Sequence, residues 1–173
     1  MFIAGALVEG VGIYPGQEND LEIKDIYEQY NIFADFLKRL PEDLKIIISP
    51  GNHDAMRIAE PQPRLYKDFA EAIYKLSNVY LVSNPSLVNI HAKEGFPGFN
   101  VLLYHGFSFP YYADKVEEIR NAGGQQRPDL IMKYLLQKRH LAPSHTSNLY
   151  IPDTGNDYLV IDTIPDFFVS GHI

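Results

Sequence analysis

Three places in this sequence set groups capable of chemistry directly behind an apolar run. Ile46, Ile47 and Ile48 lead through Ser49 and Pro50-Gly51 into Asn52, His53 and Asp54. Leu102, Leu103 and Tyr104 lead into His105-Gly106, and Phe167-Phe168-Val169-Ser170 leads into Gly171-His172. Open α/β sheets bind ligands beyond the carboxyl ends of their strands, so a site is expected at these positions. Imidazole nitrogens and amide or carboxylate oxygens are suitable ligands for Mn, Fe, Ni or Zn. Paired metals polarise a phosphodiester and generate the attacking hydroxide. A neighbouring histidine can then protonate the leaving oxygen. Each instance also has a plainer reading, since Asn and Asp cap helices well and a lone histidine is as readily structural. The recurrence at three strand exits carries the argument.

The elements that must position these groups follow from periodicity. Residues 2–4 read as a first strand, and Gly5 begins the turn after it. Residues 9–20 form a loop with Gly10, Gly12 and Gly16 around Tyr14-Pro15, and loops of this length are often functional. Ile23, Ile26, Tyr27, Tyr30, Phe33, Ala34, Leu37 and Leu40 share one helical face, which Pro41 ends. A strand at 45–49 follows, so helix and strand alternate as in a βαβ unit. Pro61-Gln62-Pro63 is a rigid extended piece before a second amphipathic helix at 66–76. Strands are expected at 79–82, 86–91 and 99–104, a short helix at 113–120, and a helix opened by Pro128. Residues 158–161 and 167–170 read as an antiparallel pair across Thr163-Ile164-Pro165. His91 is expected as a strand residue. His140 and His145 lie in a polar loop, and Lys133, Lys138 and Arg139 read as a solvated basic cluster.

Composition bounds the function. The chain has 173 residues, enough for one well-packed domain over 1–173. A formal net charge of -7 argues against a large non-specific nucleic-acid surface on this piece alone. It leaves room for a metal-dependent phosphodiester site, because bound cations reverse the local field. There is no cysteine, hence no disulfide framework and no thiolate zinc site, which fits a cytosolic, cytoplasmic protein. The apolar run at 2–8 lacks the basic segment of a signal peptide and is too short to span a membrane. It reads as a strand entered partway, and the other end stops just after a strand that delivers His172. The expectation is a fragment cut at both ends.

With those residues in place, the chain resembles the calcineurin-like metallophosphoesterases, and among them the small subunits of archaeal family D DNA polymerases. Gly51-Asn52-His53-Asp54, Tyr104-His105-Gly106 and Gly171-His172 follow the phosphoesterase pattern. Val8-Glu9-Gly10-Val11-Gly12-Ile13-Tyr14-Pro15-Gly16-Gln17-Glu18, Pro61-Gln62-Pro63 and Lys138-Arg139-His140-Leu141-Ala142-Pro143 carry the closer likeness. The resemblance implies a two-sheet α/β sandwich flanked by helices. It also implies a metal-dependent 3′-to-5′ exonuclease with divalent metals, manganese first, and as partners a large catalytic polymerase subunit and DNA with a 3′ end. By the same resemblance Asn52, His105 and His172 would bind one metal. His53 would contact the scissile phosphate or leaving oxygen, and Asp54 would orient its ring.

The departures bear on activity. The family pattern opens with Asp-x-His on an upstream strand, and nothing precedes Met1 here. It continues with a Gly-Asp whose carboxylate bridges the metals, where this chain has Gly5-Ala6. It closes with Gly-His-x-His, where this chain ends at Ile173. The expectation is therefore one incomplete metal position, no two-metal clamp and negligible nuclease activity as the chain stands. Two alternatives remain from this reading: a non-catalytic scaffold supporting the large subunit, and a small-molecule phosphodiesterase.

Overall fold

The computed structural model describes residues 1–172. Ile173 lies outside the described residues. The described residues form two three-stranded sheets with five α-helices, the α/β class with two sheets that the resemblance implies. They divide into two compact units, residues 1–58 with 62–84, and residues 59–61 with 85–173.

The first unit is β1 (Phe2–Ala4), α1 (Ile26–Leu37), β2 (Ile46–Ser49), α2 (Lys67–Tyr74) and β3 (Val79–Leu81). All three strands are parallel in the order β1-β2-β3, with Phe2 opposite Ile47 and Ile48 opposite Leu81. This is the βαβ alternation read from the sequence. Ile46 and Ile48 are fully buried beside Tyr30, Ala34, Leu37, Ala70 and Ile73, each isoleucine contributing roughly 1.5–3 kcal/mol. The apolar face of α1 extends back to Ile23 in the sequence, but the helix begins only at Ile26. Asp25 is the reason: its carboxylate accepts from the Tyr27 N–H at 2.7 Å and caps the helix.

The second unit holds β4 (Ser86–Ile90), β5 (Phe99–Tyr104), α3 (Phe109–Lys115), α4 (Glu117–Asn121), α5 (Pro128–Lys138) and β6 (Phe167–Ser170). β4 runs antiparallel to the central β5, and β6 runs parallel to it. Leu102 and Tyr104 pack with Phe109, Tyr112, Ile119, Ile131, Leu135, Leu159 and Ile161 in this unit's core.

Three expectations are corrected here. The helix expected at 113–120 is two helices, because Val116 is extended (φ −88, ψ 107) and serves as both C-cap and N-cap. His91 stands just past β4 with φ +60, outside the strand. Residues 158–161 do not pair with β6, which takes β5 as its parallel partner. Their alternation is real, with Leu159 and Ile161 buried and Tyr158 and Val160 exposed. Their backbone partners lie instead at 139–141, where Leu141 N–H donates to the Leu159 carbonyl and Ile161 N–H to that of Arg139. Alternation reports which side chains are buried and leaves the partner strand open.

Candidate functional site: the strand exits

At the β2 exit the chain turns through Asn52 and His53, both half-buried, and buries Asp54. The Asp54 carboxylate accepts four hydrogen bonds. Oδ2 takes the N–H of Gly51 at 2.7 Å and of Ala6 at 3.1 Å. Oδ1 takes the Tyr30 hydroxyl at 3.0 Å and the Leu7 N–H at 3.4 Å. Tyr30 in turn accepts from the Ala55 N–H at 2.9 Å. Asp54 therefore ties the exit of β1, the exit of β2 and helix α1 at one point. Burial pushes its carboxyl up to about 6, against the hydrogen bonds of Gly51, Tyr30, Leu7 and Ala6, which favour the anion. Burial, and then the Asp54 charge, hold the Tyr30 hydroxyl well above its ordinary range.

Both Asp54 oxygens are thus engaged, and the His53 ring has a different partner from the one expected. Its Nδ1 lies 2.9 Å from the backbone carbonyl of Glu9. A carbonyl only accepts, so Nδ1 carries the proton there, and Nε2 is the other, chemically available nitrogen. The correction is physical: a carboxylate already surrounded by four donors has no lone pair left to direct at the ring.

Gln62, from the Pro-Gln-Pro segment, completes this exit. Its amide donates to the carbonyls of Gly51 at 3.2 Å and Arg57 at 2.9 Å and accepts from Asn84 at 3.0 Å. The sequence marked Gln62 only by its neighbouring prolines. Tyr30 was legible as a core residue, whereas the bond made by its hydroxyl had no sequence signal.

In the second unit the exits of β5 and β6 meet. His105 is 1% exposed, and its ring centroid lies 4.9 Å from that of the half-buried His172. Phe107, which the sequence reading did not single out, contacts both, at 5.4 Å from His105 and 5.8 Å from His172. Gly171 N–H donates to the His105 carbonyl at 3.1 Å, and Ser170 Oγ donates to the Tyr104 carbonyl at 2.7 Å. Gly106 is required here. Its φ is +111, and a Cβ would stand 3.0 Å from the Gly171 carbonyl oxygen.

The polar loop behaves as structure. His140 Nδ1 accepts from the Ala142 N–H at 2.9 Å, so Nε2 carries the proton that it shares with Asp157 at 3.0 Å. Arg139 donates to the Ile161 carbonyl at 2.6 Å.

The donor set can be tested against the metals that the resemblance implies. His105 and His172 bring two imidazoles together. Ala6, where a bridging carboxylate is expected, is exposed, offers no ligand atom on its side chain and has φ +54. Among the described residues no group of three or more His, Cys, Asp or Glu is placed to hold a metal ion. The described residues therefore do not fit a two-metal clamp. No helix among the described residues is long and apolar enough to cross a membrane.

Comparison with known proteins agrees with the likeness read from the motifs. Over 173 residues the chain is 43% identical to the DNA polymerase II small subunit of Methanothermobacter thermautotrophicus, covering 100% of this chain and 34% of that protein. It is 48% identical over 171 residues to the protein of the same name from Methanocaldococcus jannaschii, covering 99% and 27%. With that of Pyrococcus abyssi the identity is 40% over 173 residues, covering 100% and 26%. The chain thus spans between about a quarter and a third of the length of these curated relatives. The family model for the B subunits of DNA polymerases alpha and epsilon matches residues 13–172, and the chain belongs to that family.

Proposed function

We propose that this chain is the phosphoesterase-type domain of a DNA polymerase small subunit, which assembles with a large catalytic subunit that works on DNA with a 3′ end. The supporting observation is similarity to archaeal DNA polymerase II small subunits along the whole chain. The motif order and the 9–18 loop belong to the same likeness. Asn52, His105 and His172 remain candidate metal ligands, each at its own strand exit, with His53 and Asp54 as candidate catalytic residues. Hydrolysis is not part of what we assign to the chain as it stands, because Ala6 occupies the place of the bridging carboxylate. Ala6 also favours a second reading of the same domain, as a scaffold for the large subunit with no chemistry of its own.

The test has two arms. Co-expression with the large catalytic subunit is expected to yield a complex that survives gel filtration, and separate elution would overturn the subunit reading. In parallel, end-labelled single-stranded DNA is incubated with manganese and either the chain or its Ala6→Asp form. No digestion by the unmodified chain is expected. Digestion by that chain, abolished by His105→Ala, would overturn the assignment of inactivity. Digestion only by Ala6→Asp would count against the pure scaffold.

A further inference from the structure

The loop over residues 9–18 carries much of the family likeness, yet none of its side chains has a role in the reading above. Its geometry supplies one. Gln17 is 2% exposed, although it sits in a loop whose residues 11–16 are all exposed. Its Nε2 donates to the Glu9 carbonyl at 3.1 Å, and its Oε1 accepts from the Ile13 N–H at 2.8 Å. From α1, buried Gln29 grips Gly10 on both sides: Oε1 accepts from the Gly10 N–H of the Glu9–Gly10 peptide at 3.0 Å, and Nε2 donates to the Gly10 carbonyl of the next peptide at 3.2 Å. Gln29 Nε2 also donates to the Ile23 carbonyl at 2.8 Å. Gly10 has φ +78, and a Cβ there would stand 2.5 Å from the His53 carbonyl oxygen. Two buried amides and one glycine therefore clamp the Glu9–Gly10 peptide against His53.

The clamped carbonyl is the one that meets His53 Nδ1 at 2.9 Å. We infer that Gln17 and Gln29 are positioning residues for His53, holding the Glu9 carbonyl where it keeps the ring's proton on Nδ1 and leaves Nε2 as the working nitrogen. The arrangement serves both charge states. A neutral ring presents an Nε2 lone pair, and an imidazolium presents an Nε2–H donor to a phosphate oxygen, with Nδ1–H on the carbonyl in each case. Residue type matters, because the Gln17 amide supplies both the donor that the Glu9 carbonyl takes and the acceptor for the Ile13 N–H, whereas an ionised carboxylate supplies the acceptor alone. The inference rests on the proposed function only in making His53 a group worth positioning.

The test reads the tautomer directly. Long-range proton–nitrogen correlation spectra of the 15N-labelled chain distinguish Nδ1–H from Nε2–H, at a pH where the His53 ring is neutral. Gln17→Glu keeps the acceptor for Ile13 and sets a second acceptor against the Glu9 carbonyl. It is expected to lower the ratio of Nδ1–H to Nε2–H at His53 about fivefold, the factor worth one neutral hydrogen bond. Gln29→Glu asks the same of the helix side, and is expected to move the ratio in the same direction if Gln17→Glu does not fold. Tyr14→Phe removes the loop's bond from Tyr14 to Asp20 without touching the clamp, so the ratio should stay at its wild-type value. An unchanged ratio in a folded Gln17→Glu or Gln29→Glu chain would overturn the inference. So would an equal shift in Tyr14→Phe, which would mean that any loosening of the loop suffices. The spectra need no metal, DNA or large subunit, so this result and the partner test fail independently.

Discussion

The β2 exit and the exits of β5 and β6 solve the same problem, holding a histidine beyond the end of a strand, with different forces. At the β2 exit hydrogen bonds from distant residues do the work. Asp54 gathers donors from Ala6, Leu7, Tyr30 and Gly51, and a backbone carbonyl of the 9–18 loop holds His53. At the other exits, ring packing brings His105, Phe107 and His172 together, and one backbone hydrogen bond and one from the Ser170 hydroxyl join the strands. The difference lies in what each tolerates. A hydrogen-bond clasp depends on a complement of donors and acceptors, so losing one partner leaves others buried and unsatisfied. A packed ring cluster depends on volume and backbone approach, and it accepts changes that preserve both.

That contrast can be broken at its strongest point first. Asp54→Ala leaves a set of donors without their acceptor, and a loss of about 3–5 kcal/mol is expected from urea unfolding. A loss below about 1 kcal/mol would show that the clasp is not what holds the β2 exit. Next in size is Gly106→Ala at the packed exits, where the new Cβ meets the Gly171 carbonyl in a backbone conformation unfavourable to alanine. A loss of about 1–3 kcal/mol is expected, with shifted ring resonances of His105 and His172. Unmoved resonances would separate the strand contact from the ring geometry.

Smaller and opposite in sign is Ala6→Gly. Ala6 holds φ +54 while its N–H stays on Asp54, and relief of that strain should stabilise the chain by about 1 kcal/mol. Destabilisation instead would mean that the Ala6 methyl contributes more than its backbone costs. Smallest is the pH response of Asp157. Desolvation raises its pKa, but the hydrogen bonds from His140 and Leu159 and the attraction of His140 outweigh it, so the net shift is downward. A depressed carboxylate adds stability above its unfolded pKa of about 3.9 and loses it as the pH falls through the lower folded value. The gap in melting temperature between the wild type and Asp157→Asn should therefore be present at neutral pH and close below about pH 4. A gap that widens in acid would refute the sign of the shift.

The strands and the long helices were legible because their apolar periods are regular. Ile46 and Ile48 are buried as read, and Pro128 opens α5. The misread segments show where periodicity stops informing. Residues 158–161 have the alternation of a strand, but which backbone they meet depends on where Arg139, His140 and Leu141 lie. The split at Val116 reflects a single extended residue inside a stretch of helical composition. Among site residues, the histidines stood out by their place after apolar runs. Gln17, Gln29 and Gln62 did not, because glutamine is ordinary on surfaces, and only burial turns it into a clamp.

By itself the sequence determined the chemistry available at each strand exit, the parallel βαβ order of the first unit and the family likeness. Those depend on residue type and on short-range spacing. The tertiary structure alone decided that the Asp54 carboxylate takes the backbone N–H groups of Ala6, Leu7 and Gly51 and not the ring of His53, and that Glu9 takes that ring by its carbonyl. It alone brought Phe107 against both His105 and His172. Hydrogen bonds across 44 or 48 residues of chain have no periodic signature, because their partners are chosen by where the folded backbone places each group.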